Sequence, residues 1–316
     1  MGRYFVQRLL LMIPTMFGVS IIVFMMVRFL PGSVIDVVLG EFGNVDPEVK
    51  EELLKQYNLD SGILIQYKDW LADLFRGDLG VSLLSGRSIV ADLKSRIPVT
   101  VELSVMAVAM SLVISIPIGV IAAIRQDSPL DYLARSTAVG MLAIPNFWLA
   151  TMVLTVPNMF ITWAPPSPFV RFPDDPLRNL YIMAIPAAIL SLALAGGQMR
   201  LIRTQLLEVL RQDYIRTAWA KGLRERTVIV RHALKNALIP VISLIGIQIP
   251  ILIGGAVIIE FIFGIPGVGS RLVKSIIDRD YSVIQAINLF MATLVVFVNL
   301  LVDMTYAYLD PRVRYR

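Results

Sequence analysis

The chain has 316 residues, 56% of them hydrophobic and only 17% charged, with a formal net charge of +5, a mean hydropathy of +0.71 and no cysteine. That composition excludes an ordinary soluble domain, and the missing thiols exclude disulfides, a thiolate metal site and a cysteine nucleophile. The pI of 9.5 does not ask for a nucleic-acid partner, because the basic residues collect in the loops where membrane topology places them.

Apolar windows of about 20 residues, long enough to cross a bilayer as helices, recur six times: Leu9–Leu30, Val99–Ile124, Ser136–Trp163, Tyr181–Met199, Ile239–Phe263 and Ile284–Tyr308. The expected fold class is all-α, a polytopic membrane protein with six transmembrane helices. The first window follows a basic start, as a signal peptide would. Its apolar run is longer than a typical signal core and no small-residue cleavage site follows, so it reads as a retained helix.

Orientation follows from Lys and Arg. Segments 1–8, 125–135, 200–238 and 309–316 carry 2, 2, 9 and 3 of them; the short loops 164–180 and 264–283 carry 2 and 3. Both termini are therefore expected in the cytoplasm. The long segment 31–98 carries 7 Lys/Arg against 11 Asp/Glu, and its net acidity fits an external, folded element. The chain divides into an N-terminal span (1–30), an external helical loop (31–98) and a core of five spans (99–316).

The external loop offers three short helices. One begins with Asp46 as N-cap and Pro47 behind it. A second places Ile63, Leu64, Tyr67, Trp70, Leu71 and Leu74 at helical spacing before Gly77. SIVADLKSRIP forms the third, expected to stop before Pro98. The loop is read equally as a cap on the membrane or as a platform for an external partner. In the last outer loop, EFIFGIPGVGSRL, the glycines Gly264, Gly267 and Gly269 suggest a tight turn with a short helix over Arg271–Asp280. They do not form a phosphate loop, since no GxxxxGK string followed by Ser or Thr occurs in the chain.

Segment 200–238 has 9 Lys/Arg and 3 Asp/Glu, and it holds the only histidine, His232. QDYIRTAWAKG reads as an amphipathic helix, with Tyr214, Ala218 and Lys221 on one face and Ile215, Trp219 and Gly222 on the next. Gly222 is its expected terminator. A second helix is expected over about Glu225–Ala237. The segment is read as two short helices standing in water, with apolar faces and an exposed Trp219 that need a partner surface. His232 reads as a hydrogen-bonded packing residue, with no second histidine or cysteine to complete a zinc site.

The polar residues within the spans, Glu102, Asn146, Gln198, Gln248, Asn288, Asn299 and Asp303, are candidates for a translocation path, because buried polar groups in a bilayer face the bundle interior. Asp303 and Glu260 lie near span ends and fit the interface equally well. The pairs Gly196–Gly197 and Gly254–Gly255 permit close helix approach, and Pro250 is expected to kink its span.

The spacing of Arg216, Thr217, Ala218, Gly222, His232, Leu234 and Lys235 resembles the cytoplasmic coupling motif of ABC importer permeases: Glu-Ala-Ala, three residues, Gly, nine residues, Ile-x-Leu-Pro. Arg for Glu, Thr for Ala and Lys for Pro are departures typical of the oligopeptide/dipeptide permease branch. RYFVQRLLLMIPTMFGVSIIVF, RFLPG, FRGDLGVSLLSGRSI, IPNFWLA, EFIFGIPGVGSRL, RDYSVIQA and DPRVRYR resemble that branch in order and separation over nearly the whole chain.

The resemblance implies a type I ABC importer permease fold, a first-type subunit in the cell inner membrane, and no catalytic residue. It implies pairing with a second, homologous permease, two cytoplasmic ATPase subunits and an external solute-binding protein. No cofactor is expected in this chain, since ATP and Mg belong to the ATPases. Segment 213–237 would couple to them through Arg216, Thr217, Ala218, Trp219, Lys221, Gly222, His232, Leu234 and Asn236, with Ala218 and Trp219 packed in an ATPase groove. Di- and oligopeptides are the expected cargo, with nickel chelates, glutathione or oligosaccharides as alternatives. A secondary transporter, the reading from another class, would show inverted repeats around midplane charges, which this chain lacks.

Overall fold

The computed structural model describes residues 2–29 and 61–309, with side chains at all of these except 2–5, 303 and 306–309. The helix expected from Asp46, the side chain of Asp303 and the terminal DPRVRYR therefore lie outside the described residues. The elements are α1 (Gly2–Arg28), α2 (Ile63–Phe75), α3 (Ile89–Ile124), α4 (Pro129–Ala143), α5 (Asn146–Ile161), α6 (Pro176–Leu210) and α7 (Asp213–Ala220). Single α-turns at Glu225–Thr227 and Lys235–Ala237 then flank a π-helical run, Val228–Leu234. α8 (Ile239–Ile262), α9 (Val268–Ile277) and α10 (Tyr281–Leu309) complete the order.

Five helices, α1, α3, α6, α8 and α10, are long and apolar enough to cross a membrane unaided. The third expected span is instead two helices, α4 and α5, meeting at 91°. Pro145 causes the break: the residue before a proline is driven out of the α region, and Ile144 sits at φ −86°, ψ 119°.

Contacts place this broken pair between two parallel apolar helices. Ser115 of α3 hydrogen-bonds Gln198 of α6, Gly119 abuts Ile202, and Ala123 packs with Leu206. The offset is constant, so α3 and α6 run parallel. Toward their other ends, Glu102 lies beside Asn179. Two parallel spans joined in sequence need a crossing between them, and α4–α5 is the chain available to make it. α4 returns antiparallel to α6, with Asp131 against Arg203 and Ala138 against Gly196. α8 is also antiparallel to α6, pairing Gln248 with Gln198 and Gly255 with Leu190.

The third external helix does not stop at Pro98; it continues into the second span as the 36-residue α3. Ile89, Leu93, Val99 and Leu103 are all buried around that proline. Packing on both sides outweighs the one backbone bond a proline removes, as proline-bearing membrane helices allow.

The described residues form two compact units, one of residues 100–265 and 298–309, the other of 2–29, 61–99 and 266–297. In this division 266–297 groups with the N-terminal part of the chain. In this second unit Ile89, Leu93, Val268, Val283, Ala286 and Ile287 form one apolar cluster. α2 lays Tyr67 and Trp70 against Phe24 of α1, and the Tyr67 hydroxyl meets Ser20 at 2.7 Å.

Candidate coupling segment and polar path

α7 starts after Gln212 and ends at Lys221, followed by Gly222 at φ +70°. A side chain at that φ would be strained, so glycine lets the chain turn immediately into the next helix. The Gly222 N–H donates to Trp219 O at 2.9 Å and closes the end.

α7 is not free in water, contrary to the sequence expectation. Ile215 and Ala218, a turn apart, are buried with Leu206, Ala123, Val228, Ala233 and Ala237. Burying Ile215 and Val228 contributes about 1.5–3 kcal/mol each, which fixes the segment to the ends of α3 and α6. Ala218 thus faces this chain's own core and is not placed to fill a partner's groove. Its neighbours Arg216, Thr217 and Lys221 are exposed, as are Trp219 at 45% and Tyr214 at 44%.

The second helix is helical over the expected range, but its centre is π-helical. The wider turn lets Val228, Ile229 and Ala233 all reach the core. The Asn236 amide donates to the Tyr214 hydroxyl at 2.8 Å, tying the two helices together across Gly222. His232 is half-buried, and its carbonyl accepts from the Asn236 amide at 3.4 Å. Leu234 is half-buried beside it.

Of the path candidates, Gln198 and Gln248 come together. The Ser115 hydroxyl donates to Gln198 Oε1 at 2.9 Å, the Gln198 amide to Gln248 Oε1 at 3.0 Å, and the Gln248 amide to Leu194 O at 3.2 Å. Gln198 is fully buried. Asn146, half-buried at the α4–α5 bend, lines a cavity of about 260 Å³ with Thr137, Met141 and Leu192. Glu102 lies apart from these, beside Asn179. Glu260 is buried and accepts from the Thr100 hydroxyl at 2.6 Å. Asn288, in the second unit, donates to Ile284 O of its own helix, and Asn299 is exposed.

The glycine pairs also separate. A Cβ on Gly196 would stand 2.7 Å from Ala138 O, and on Gly197 or Gly255 3.2 Å from Gln248 or Leu190. Gly254 faces open space. Pro250 lies within α8, which continues through it.

Sequence reasoning missed the pair Asp131–Arg203. Arg203 Nε and Nη2 donate to the two carboxylate oxygens at 2.6 and 2.7 Å, and Asp131 is fully buried. The signal lay in SPLD: Ser128 caps α4, Pro129 follows it, and Asp131 sits in its first turn. The second missed network joins Asp92, Arg96, Arg271, Asp280 and Ser82, all in the second unit.

A profile of the family described as binding-protein-dependent transport system inner membrane component matches residues 115–315. The chain is 38% identical, over 315 residues covering all of both chains, to a protein of Brucella abortus (strain 2308) provisionally named a peptide transport system permease. It is 36% identical to the oligopeptide transport system permease protein of Bacillus subtilis (strain 168) over 322 residues. With the dipeptide transport system permease protein of Escherichia coli (strain K12) it shares 34% over 339 residues, again covering all of both chains. With its helical spans and its basic segment packed on α6, the chain belongs to the inner-membrane permease components of binding-protein-dependent transport systems.

Proposed function

We propose that this chain is one permease subunit of an ATP-driven importer of di- and oligopeptides, with both termini in the cytoplasm. The peptide assignment is supported by relatives whose names are those of peptide, oligopeptide and dipeptide permeases, aligned over their full length. A second permease, two ATPase subunits and a solute-binding protein complete the assembly, and ATP with Mg is held by the ATPases.

One observation carries the coupling role. α7 is anchored to α6 through Ile215 and Ala218 and presents Tyr214, Arg216, Trp219 and Lys221 outward. An ATPase that grips the outward side moves α6 with it. Gln198 lies two turns up that same helix and carries the polar chain to α8, so the displacement reaches the polar interior.

The test is affinity purification of the tagged chain in mild detergent, mass spectrometry of its companions, and reconstitution in vesicles. Companion ATPases and ATP-dependent uptake of di- or tripeptides support the reading. Isolation of the chain alone, with uptake driven by an ion gradient, refutes it.

A further inference from the structure

The second unit holds a cavity of about 210 Å³ whose polar lining is mostly cationic: Arg87, Arg96, Arg271 and Lys274 against a single Asp92. That carboxylate is already neutralised, accepting from Arg96 Nε at 2.6 Å and Arg271 Nε at 2.8 Å. Arg271 also reaches Asp280 at 3.4 Å, behind the wall. The fixed floor is thus a satisfied network, with the buried Ser82 hydroxyl donating to Asp280 at 2.6 Å. Arg87 and Lys274 are different. Both are exposed, and neither side chain has a hydrogen bond or ion pair among the described residues.

The rim is built to stay in place. Arg87 ends a tight hairpin, its carbonyl accepting from Ser82 N at 2.9 Å, with Ile89 N bonded to Gly80 O at 3.1 Å. Lys274 stands on α9, whose Val268 is buried with Ile89 and Val283. Two surplus cations over a preorganised, charge-balanced floor favour an anion, and a guanidinium with an ammonium on one rim suits a carboxylate.

We infer that this cavity is a carboxylate site on the outer side of the permease, taking the free C-terminal carboxylate of a peptide passing into the transporter. The inference rests on the importer reading for its sidedness and its ligand class. An acidic side chain of the solute-binding protein presents the same chemistry and is the other source.

The experiment uses the complex isolated through a tag on this chain, placed in nanodiscs with its companion subunits. The probes are trialanine and trialanine C-terminal amide, followed by saturation-transfer NMR at low salt. Trialanine is expected to bind at least about fivefold more tightly than the amide, the order of one lost charge contact. The double variant Arg87→Gln/Lys274→Gln is expected to abolish that preference. It leaves the Asp92–Arg271–Asp280 network in place, so its thermal midpoint is expected to match wild type.

The second arm titrates the co-purifying binding protein against ATPase activity. If trialanine and its amide bind alike but the double variant raises the half-saturating binding-protein concentration about fivefold or more, the carboxylate comes from the partner and the site stands. If neither readout distinguishes variant from wild type, the carboxylate site is refuted. A wild-type complex lacking ATPase subunits fails the importer reading instead, and trialanine against its amide then decides the cavity alone.

Discussion

Arg203→Met isolates the contribution of the buried ion pair. It removes both hydrogen bonds to Asp131 and leaves a carboxylate with no solvent exposure facing an apolar side chain. Breaking a buried pair by removing one partner costs about 3–5 kcal/mol. Two features reduce that figure. The Asp127 N–H still donates at 3.0 Å, and Arg135, with its Nε 3.6 Å from Oδ1 and its side chain 42% exposed, can swing inward. An exposed replacement of that kind restores about 0–1 kcal/mol, so the expected net loss is about 2–5 kcal/mol. The assay is unfolding of the purified chain in mixed micelles, scored by the denaturant midpoint and by thermal scanning. Asp131→Leu combined with Arg203→Met is expected to recover most of the loss, because no charge is then left buried. A single variant within about 0.5 kcal/mol of wild type, the range of surface changes, refutes the reasoning. So does a double variant as unstable as the sum of the two singles.

Gly196→Val is expected to prevent stable folding, because a Cβ there meets Ala138 O at 2.7 Å; Gly254→Ala, with nothing within 4 Å, is expected to leave the thermal midpoint unchanged. Equal effects would remove the close-packing argument. Gln198→Leu strands the Ser115 hydroxyl and the Gln248 carbonyl, and is expected to destabilise by about 1–3 kcal/mol, read from the same unfolding midpoints. Gly222→Val forces a β-branched residue to φ +70°, at about 1–2 kcal/mol, and is expected to lower the peptide transported per ATP hydrolysed in vesicles; an unchanged ratio removes the lever.

The spans and the α7–Gly222 turn were legible because hydropathy over 20 residues and a glycine at a helix end are local signals. The α4–α5 break was equally local: Pro145 stands in the quoted IPNFWLA, but an uninterrupted apolar run hid it. What could not be read were features that depend on facing helices. The run Val228–Leu234 is an unremarkable helical sequence, and its π form reflects the demand that Val228, Ile229 and Ala233 reach one core together. Asp131 and Arg203 were visible only as loop charges until antiparallel α4 and α6 set them opposite each other. Ala218 was misread because Tyr214, Ala218 and Lys221 share one helix stripe, whereas the buried side is set by Ile215 and Ala218.

The constant offset between α3 and α6 has a consequence for biosynthesis. Ser115 and Gln198 are 83 positions apart, so α3 enters the membrane long before its parallel neighbour exists. At translation rates of about 5–20 residues per second, that interval is about 4–17 seconds. Gln198 then waits again, since Gln248 lies 50 residues later. During both intervals an amide or hydroxyl sits in or near hydrocarbon without its final partner, which is costly. The polar chain that joins three helices in the finished protein is therefore completed only once α8 has been made, and until then its nascent spans are substrates for any membrane chaperone that shields polar groups.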